Sequence, residues 1–214
     1  MPNKTPSKHY KIVFSGVPSA GKTSVVVMLK NIFGEHKTSE NASVSFKYNT
    51  GRSVLKQISP SYRSTSFLTM LRSSNKSLIN KFLTYISKLK ENELKSSNTV
   101  FSEKTLTDYI LLLSIIYPNL ELPYQIVKKA QVQASIYDYI FLLDPPATKA
   151  EFIKIPGRPN MPLQNLLNLH KKLKNYLSKN SHKVINIPRY GSAEKQVQSI
   201  VKKLPKDLRR YFIG

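Results

Sequence analysis

The sequence predicts an α/β fold of three layers, α/β/α, with a mainly parallel central sheet. Three observations lead there. Short apolar runs alternate with longer helical stretches along the chain, the run "YIFLL" (139–143) reads as a strand buried on both faces, and a glycine-rich loop joins the first run to the first helix.

Taken in order, residues 1–9 form a basic N-terminal tail and residues 10–214 a single domain. "YKIVFSG" (10–16) is the first strand, ended by glycine, and "KTSVVVMLKNIFG" is a helix with Gly34 as its stop. "ASVSFKY" (42–48) alternates as a second strand and is followed by the turn "NTG". Between Ser61 and Lys95 the helical spacing of Leu78, Phe82, Ile86 and Leu89 predicts one or two helices. "NTVFSEKT" (98–105) is a short buried strand ending in a carboxylate. "LTDYILLLSIIY" is a helix stopped by Pro118, and "LPYQIVKKAQVQAS" is another. After "YDYIFLLDPP" comes "ATKAEFIKIPGRPNMP", a Pro/Gly-containing basic segment read as a lid loop at about 145–162. A helix "LQNLLNLHKKLKNYLSK", a strand "KVINIP" and a helix "SAEKQVQSIVKKL" complete the chain.

Composition narrows the function classes. The chain has no cysteine, which excludes disulfides and thiolate metal sites, and its four histidines (His9, His36, His170, His182) lack metal-ligand spacing. No apolar stretch reaches the roughly 20 residues that span a bilayer, and the start lacks the apolar core of a signal peptide. A soluble, cytoplasmic protein with no membrane partner is the expectation. Against 12 acidic residues stand 34 Lys and Arg, a formal charge of +22. Such a charge concentrates polyanions near the surface, so nucleic acid or an acidic protein is a natural partner. The alternative is that the lysines, spread along the chain, simply decorate solvent-facing helices.

The strongest motif is Gly16, Gly21, Lys22 and Thr23, which match G-x-x-x-x-G-K-[ST] between strand and helix signals. Backbone N–H groups from Gly16, Val17, Pro18, Ser19, Ala20, Gly21, Lys22, Thr23 and Ser24 mark the span that wraps phosphates, proline excepted because it has no N–H. The positive end of the helix adds to them, Lys22 reaches the outer phosphates, and Thr23 is placed to ligate Mg2+. No Asn-Lys-x-Asp base-reading signature is present, which favours ATP over GTP as the nucleotide.

A nucleotide loop needs an acidic partner for magnesium. Two residues compete: Glu103, at the end of "VFSE", and Asp144, at the end of "YIFLLD". Asp108 has its own structural reading as a helix N-terminal acid favoured by the macrodipole.

The order of these pieces resembles that of P-loop nucleoside and nucleotide kinases, particularly the branch of small AAA-type ATPase/kinase domains similar to ribosylnicotinamide kinase. "SEKTLTD" puts Glu103 at that family's acidic position, Lys104 at its arginine, Thr105 at its Ser or Tyr, and Asp108 further on. "YDYIFLLDPP" resembles the next family strand, and a basic lid with Lys149, Lys154 and Arg158 follows. The resemblance implies that Glu103 is the magnesium-side carboxylate and that Asp144 merely opens the lid. It further implies that Arg158 closes over the transferring phosphoryl group, and that Pro188, Arg189 and Tyr190 contact the base. Lys22, Glu103, Asp108 and Arg158 are then the candidate catalytic set, with ATP and Mg2+ as cofactors and a nucleoside, nucleotide or related small molecule as acceptor.

The resemblance covers residues 10–34 and 98–204 and thins between them. Where the family carries an acid near the end of the second strand to activate the acceptor hydroxyl, this chain has Asn49, and an amide is no general base. Glu40 precedes the strand and could serve only in another register, and Asp108 and Glu103 are the other candidates for that role. The second class of function is therefore a P-loop ATPase or nucleotide-binding module acting on nucleic acid, a polynucleotide 5'-hydroxyl kinase included. Three stretches mix rings with cations in the manner of single-strand binders: "SFKYNTGR", "SPSYRSTSF" and "KDLRRYFIG".

Overall fold

The computed structural model describes residues 8–35, 44–48, 50–59, 71–72, 74–153, 161–181 and 183–212. The elements run β1 (Lys11–Ser15), α1 (Lys22–Glu35), β2 (Val44–Lys47), α2 (Thr50–Ile58), α3 (Lys76–Lys95), β3 (Thr99–Glu103) and α4 (Leu106–Ile116). They continue with α5 (Tyr124–Ile136), β4 (Tyr139–Leu143), α6 (Lys149–Ile153), α7 (Leu163–Asn180), β5 (Val184–Ile187), α8 (Ala193–Lys203) and α9 (Lys206–Arg209).

The five strands form one sheet in the order β2-β3-β1-β4-β5, and every pairing is parallel. A parallel sheet needs cover on both faces, and β1 and β3 are buried at every position. Right-handed crossovers decide which face each helix takes. The chain leaves β1 toward β2 in one direction and leaves β2, β3 and β4 in the other. So α1 lies on one face, where it packs against α8, while α2, α3, α4, α5 and α7 pack against one another on the opposite face.

Side-chain alternation fills the two faces differently. Phe46, Phe101, Phe14 and Phe141, from four adjacent strands, form a row of stacked rings with successive centroids 5.2, 6.4 and 5.6 Å apart. Phe33 of α1 and Phe212 pack on that row. Behind it, Val13, Ile140 and Leu142 pack with Ala134, Leu173 and Leu177. The helix α4 is apolar almost throughout, with Leu106, Tyr109, Ile110, Leu112 and Leu113 buried, because it lies inside the helical layer rather than on its rim.

Four local expectations change. Thr50 and Gly51 of the expected "NTG" turn open α2, because Gly51, Val54, Leu55 and Ile58 recur at helical spacing and the first three are buried. Gly34 sits within the last turn of α1 rather than stopping it. Part of the lid segment is helical: Thr148 Oγ1 accepts from Glu151 N (3.2 Å) and the Glu151 carboxylate accepts from Ala147 N (2.8 Å), capping α6. The "KDLRRYFIG" stretch contributes core instead of a free aromatic surface, since Leu208, Tyr211 and Phe212 are buried. Among the described residues no helix is long and apolar enough to cross a membrane.

Candidate functional site

With all strands parallel, their carboxyl ends share one edge, and β1 hands the chain to a helix on the face opposite to those that follow β3 and β4. That places the end of β1 at a topological switch point, where an open α/β sheet leaves a crevice. The loop 16–21 occupies it.

The loop backbone explains its residue types. Gly16 has φ +144° and its missing Cβ would lie 2.8 Å from the Leu143 carbonyl oxygen, so no side chain fits. Gly21 has φ +89°, and Ser19 takes a left-handed φ of 67° that L-residues adopt at some cost. Ala20 N donates to Val17 O (3.2 Å), closing the turn before α1 begins at Lys22. Val17 and Ala20 are buried, Pro18, Ser19, Gly21 and Thr23 half-buried, and Ser24 exposed.

Lys22 is buried, and its ammonium donates to the carbonyls of Gly16 and Val17, each at 2.6 Å. Burial is the main reason its pKa is held down to about 8, and the nearby Lys104 adds to the depression. The unfolded chain therefore binds more protons than the folded one between about pH 8 and the ordinary value of 10.5, and stability on this account rises across that window.

Glu103 ends β3 directly beside the loop, its register partner being Phe14 of β1. It is 1% exposed, and Thr23 Oγ1 donates to its Oε2 at 2.5 Å. A hydroxyl and a carboxylate oxygen, side by side at the mouth of a phosphate loop, are the hard donors Mg2+ takes, and that ion ordinarily draws its other ligands from water and phosphate. The residues thus fit the ion. Among the described residues no cluster of three His, Cys, Asp or Glu is present.

Asp108 is committed elsewhere. One oxygen accepts from Gly16 N (2.9 Å), the other from Ser15 Oγ (2.8 Å), Thr105 N (2.7 Å) and Thr105 Oγ1 (2.7 Å), while Asp108 N donates to Thr105 Oγ1 (3.1 Å). The capping box of α4 and the exit of β1 share this one carboxylate. Asp144, the competing acid, directly follows β4 with its side chain 40% exposed and 3.3 Å from Nε2 of His170, a residue of α7 whose pKa is lowered by burial.

Arg189 reaches the loop, its guanidinium donating to Ser19 O at 3.3 Å, whereas the Tyr190 hydroxyl turns to Ser199 of α8 (3.2 Å). Lys149 lies in α6. Arg158, Lys154, Asn49 and Glu40 lie outside the described residues, as do His36, His182 and all of "SPSYRSTSF" but Ser59. Phe46 of "SFKYNTGR" is a core ring, stacked on Phe101.

Sequence reasoning missed Gln196 and Lys90. Gln196 of α8 is buried, with Oε1 3.3 Å from where a Cβ on Gly21 would stand. Lys90 of α3 is fully buried behind Glu103. Neither has a motif; only a lysine at a buried helical position (i+4 from Ile86) hinted at the second.

A loop built to receive phosphates, set at the switch point of a parallel sheet with a carboxylate on the adjoining strand, defines a P-loop nucleotide-binding domain of kinase-like architecture. The family model described as AAA domain matches residues 11–195, and the chain belongs to that family. Among solved structures it is similar to thymidylate kinase from Ehrlichia chaffeensis, at 14% identity and a TM-score of 0.57 over 92% of this chain and 99% of that one. Thymidylate kinase from Candida albicans is similar at 9% identity and a TM-score of 0.55, over 96% and 94%. At such identities the likeness is one of fold. A search of the curated proteins finds no match.

Two outcomes are expected. Asp108→Asn replaces an acceptor-only group with one that cannot serve four donors, so it lowers stability by about 1–3 kcal/mol in urea unfolding. Because a bound phosphate favours the protonated Lys22, nucleotide affinity measured by calorimetry stays level up to about pH 8. Above that it falls, by no more than about tenfold per pH unit.

Proposed function

We propose that this protein is an ATP-dependent phosphotransferase that moves the γ-phosphoryl group of ATP to a nucleoside, nucleotide or related small molecule. The observation that carries the reading is the contact of Thr23 Oγ1 with Glu103 Oε2 beside Lys22, because it joins the phosphate grip to a magnesium-side carboxylate.

In this reading the N–H groups of the loop after Gly16, Pro18 excepted, and the N-terminus of α1 hold the phosphates. Lys22 leaves the carbonyls of Gly16 and Val17 for the outer phosphates, which return the charge stabilisation that burial removed. Thr23 and Glu103 hold Mg2+, whose chemistry there is to neutralise charge on the phosphate oxygens. Arg189, already against Ser19, and Tyr190 border the base, and Arg158 brings the lid cation to the transferred group.

The acceptor oxygen bonds to the γ-phosphorus as the bond from that phosphorus to the β–γ bridging oxygen breaks and ADP leaves. Where the acceptor is a hydroxyl its proton passes to solvent water, and where it is a phosphate oxygen there is no proton to lose. Asp108, with both oxygens occupied, is assigned to positioning the loop rather than to taking that proton. With Asn49 in place of an acid, transfer rests mainly on positioning and charge neutralisation, which supply most of such catalysis.

A second reading has its own observation. Tyr85 and Tyr124 are 51% and 77% exposed on α3 and α5, helices that pack side by side, and Lys81, Lys88, Lys128 and Lys129 are exposed on the same two helices. Exposed rings among cations suit stacking and phosphate contact with single strands. Nucleic acid is then the acceptor-bearing substrate or a docking partner.

Lys22→Ala should reduce nucleotide binding or turnover by about 10²–10³-fold. Wild-type protein with labelled ATP and a panel of nucleosides and nucleotides should yield a labelled product. Binding of ATP through Lys22 with no transfer to any of them would remove the small-molecule kinase reading. For the second reading, single-stranded DNA or RNA should bind at low salt and be released as salt rises. No binding at low salt, or binding indifferent to salt, ends it.

A further inference from the structure

Lys90 has no part in any motif, yet its side chain is 0% exposed. Its three donors meet three acceptors: Glu93 Oε2 at 2.8 Å, Ser102 Oγ at 2.5 Å and the carbonyl oxygen of Glu103 at 3.0 Å. Ser102 Oγ in turn donates to Glu93 Oε2 at 2.7 Å, closing the group on itself. A buried lysine is costly, and one whose protons are all used is held in a single place.

The location of that place matters. The peptide linking Glu103 to Lys104 is pinned at both ends: its N–H donates to Phe14 O on β1 (2.8 Å), and its carbonyl accepts from Lys90 on α3. Directly after it the chain turns through a left-handed φ of 63° at Lys104. On the near side of the same peptide stands the Glu103 carboxylate that takes the Thr23 hydroxyl.

We infer that Lys90 is a positioning residue for the magnesium site, acting through the Glu103 backbone and needing no contact with nucleotide. The inference rests on the proposed magnesium role of Thr23 and Glu103. Without Lys90 the Glu103 carbonyl loses its partner, the strand end loosens, and the carboxylate is no longer held against Thr23. The phosphate loop itself, tied to Asp108 in α4, is left in place.

The test separates metal binding from the phosphate grip. Lys90→Met alone leaves Glu93 buried and unpaired, so the full-length Lys90→Met/Glu93→Leu chain, which removes both charges together, is the one to titrate. A fluorescent ATP analogue is bound to it and to wild type, in EDTA and across a Mg2+ series, with thermal unfolding recorded alongside. The half-saturating Mg2+ should rise by about tenfold or more while affinity in EDTA stays near wild type, as for loss of a group that orients a metal ligand. An unchanged Mg2+ midpoint, or equal loss with and without Mg2+, overturns the role of Lys90. A wild-type chain indifferent to Mg2+ overturns the magnesium reading beneath it as well.

Discussion

One carboxylate holds the architecture of the site together. Asp108 accepts from Gly16 N and Ser15 Oγ at the exit of β1 and from Thr105 at the entrance of α4, so the phosphate loop and the segment after β3 share a single anchor. Lys22 on the Gly16 and Val17 carbonyls and Arg189 on the Ser19 carbonyl hold the loop from its own side. Gly16 is pressed against the Leu143 carbonyl, Ser19 is in a left-handed conformation, and each peptide there would turn elsewhere without a fixed starting point. Fixing the first N–H of the loop sets the direction of those that follow, and those are the groups that meet phosphate.

Around this anchor the chain gathers charge that it must neutralise internally. Lys22 at the start of α1, Lys90 and Glu93 on α3, Glu103 on β3 and Asp108 on α4 are all buried. Lys90 pairs with Glu93, Asp108 is saturated with donors, and Lys22 rests on carbonyls that offer partial charge only. Lys22 is thus the cation with most to gain from an arriving phosphate, a consequence of what its neighbours lack. The strongly positive total charge acts at longer range, raising the local concentration of any anionic ligand.

How much was legible in the sequence depended on whether the physics was local. The loop was readable because each of its constraints is a property of a few neighbouring residues: two glycines for positive φ, a lysine and a hydroxyl at the helix start. Glu103 was readable because a strand ends there. The fate of Asp108 was not, since two of the donors to its carboxylate come from Ser15 and Gly16, about ninety residues away. The start of α2 was misread because Asn-Thr-Gly is turn chemistry by composition, and burial of Gly51 against its neighbours overrode it. The C-terminal rings were misread for the same kind of reason: Tyr211 and Phe212 look like a basic aromatic tail until α9 turns them onto Phe33.

By itself, then, the sequence determined the layered α/β class, the order of strands and helices along the chain, and the phosphate loop, all of which follow from periodicity and short-range backbone chemistry. Only the tertiary structure decided the strand order, the contact of Glu103 with Thr23, the anchoring use of Asp108, and the presence of Lys90 behind β3. The reason is physical: crossover handedness and side-by-side strand pairing bring together groups far apart in the chain, and a carboxylate's role is set by which donors reach it once they meet.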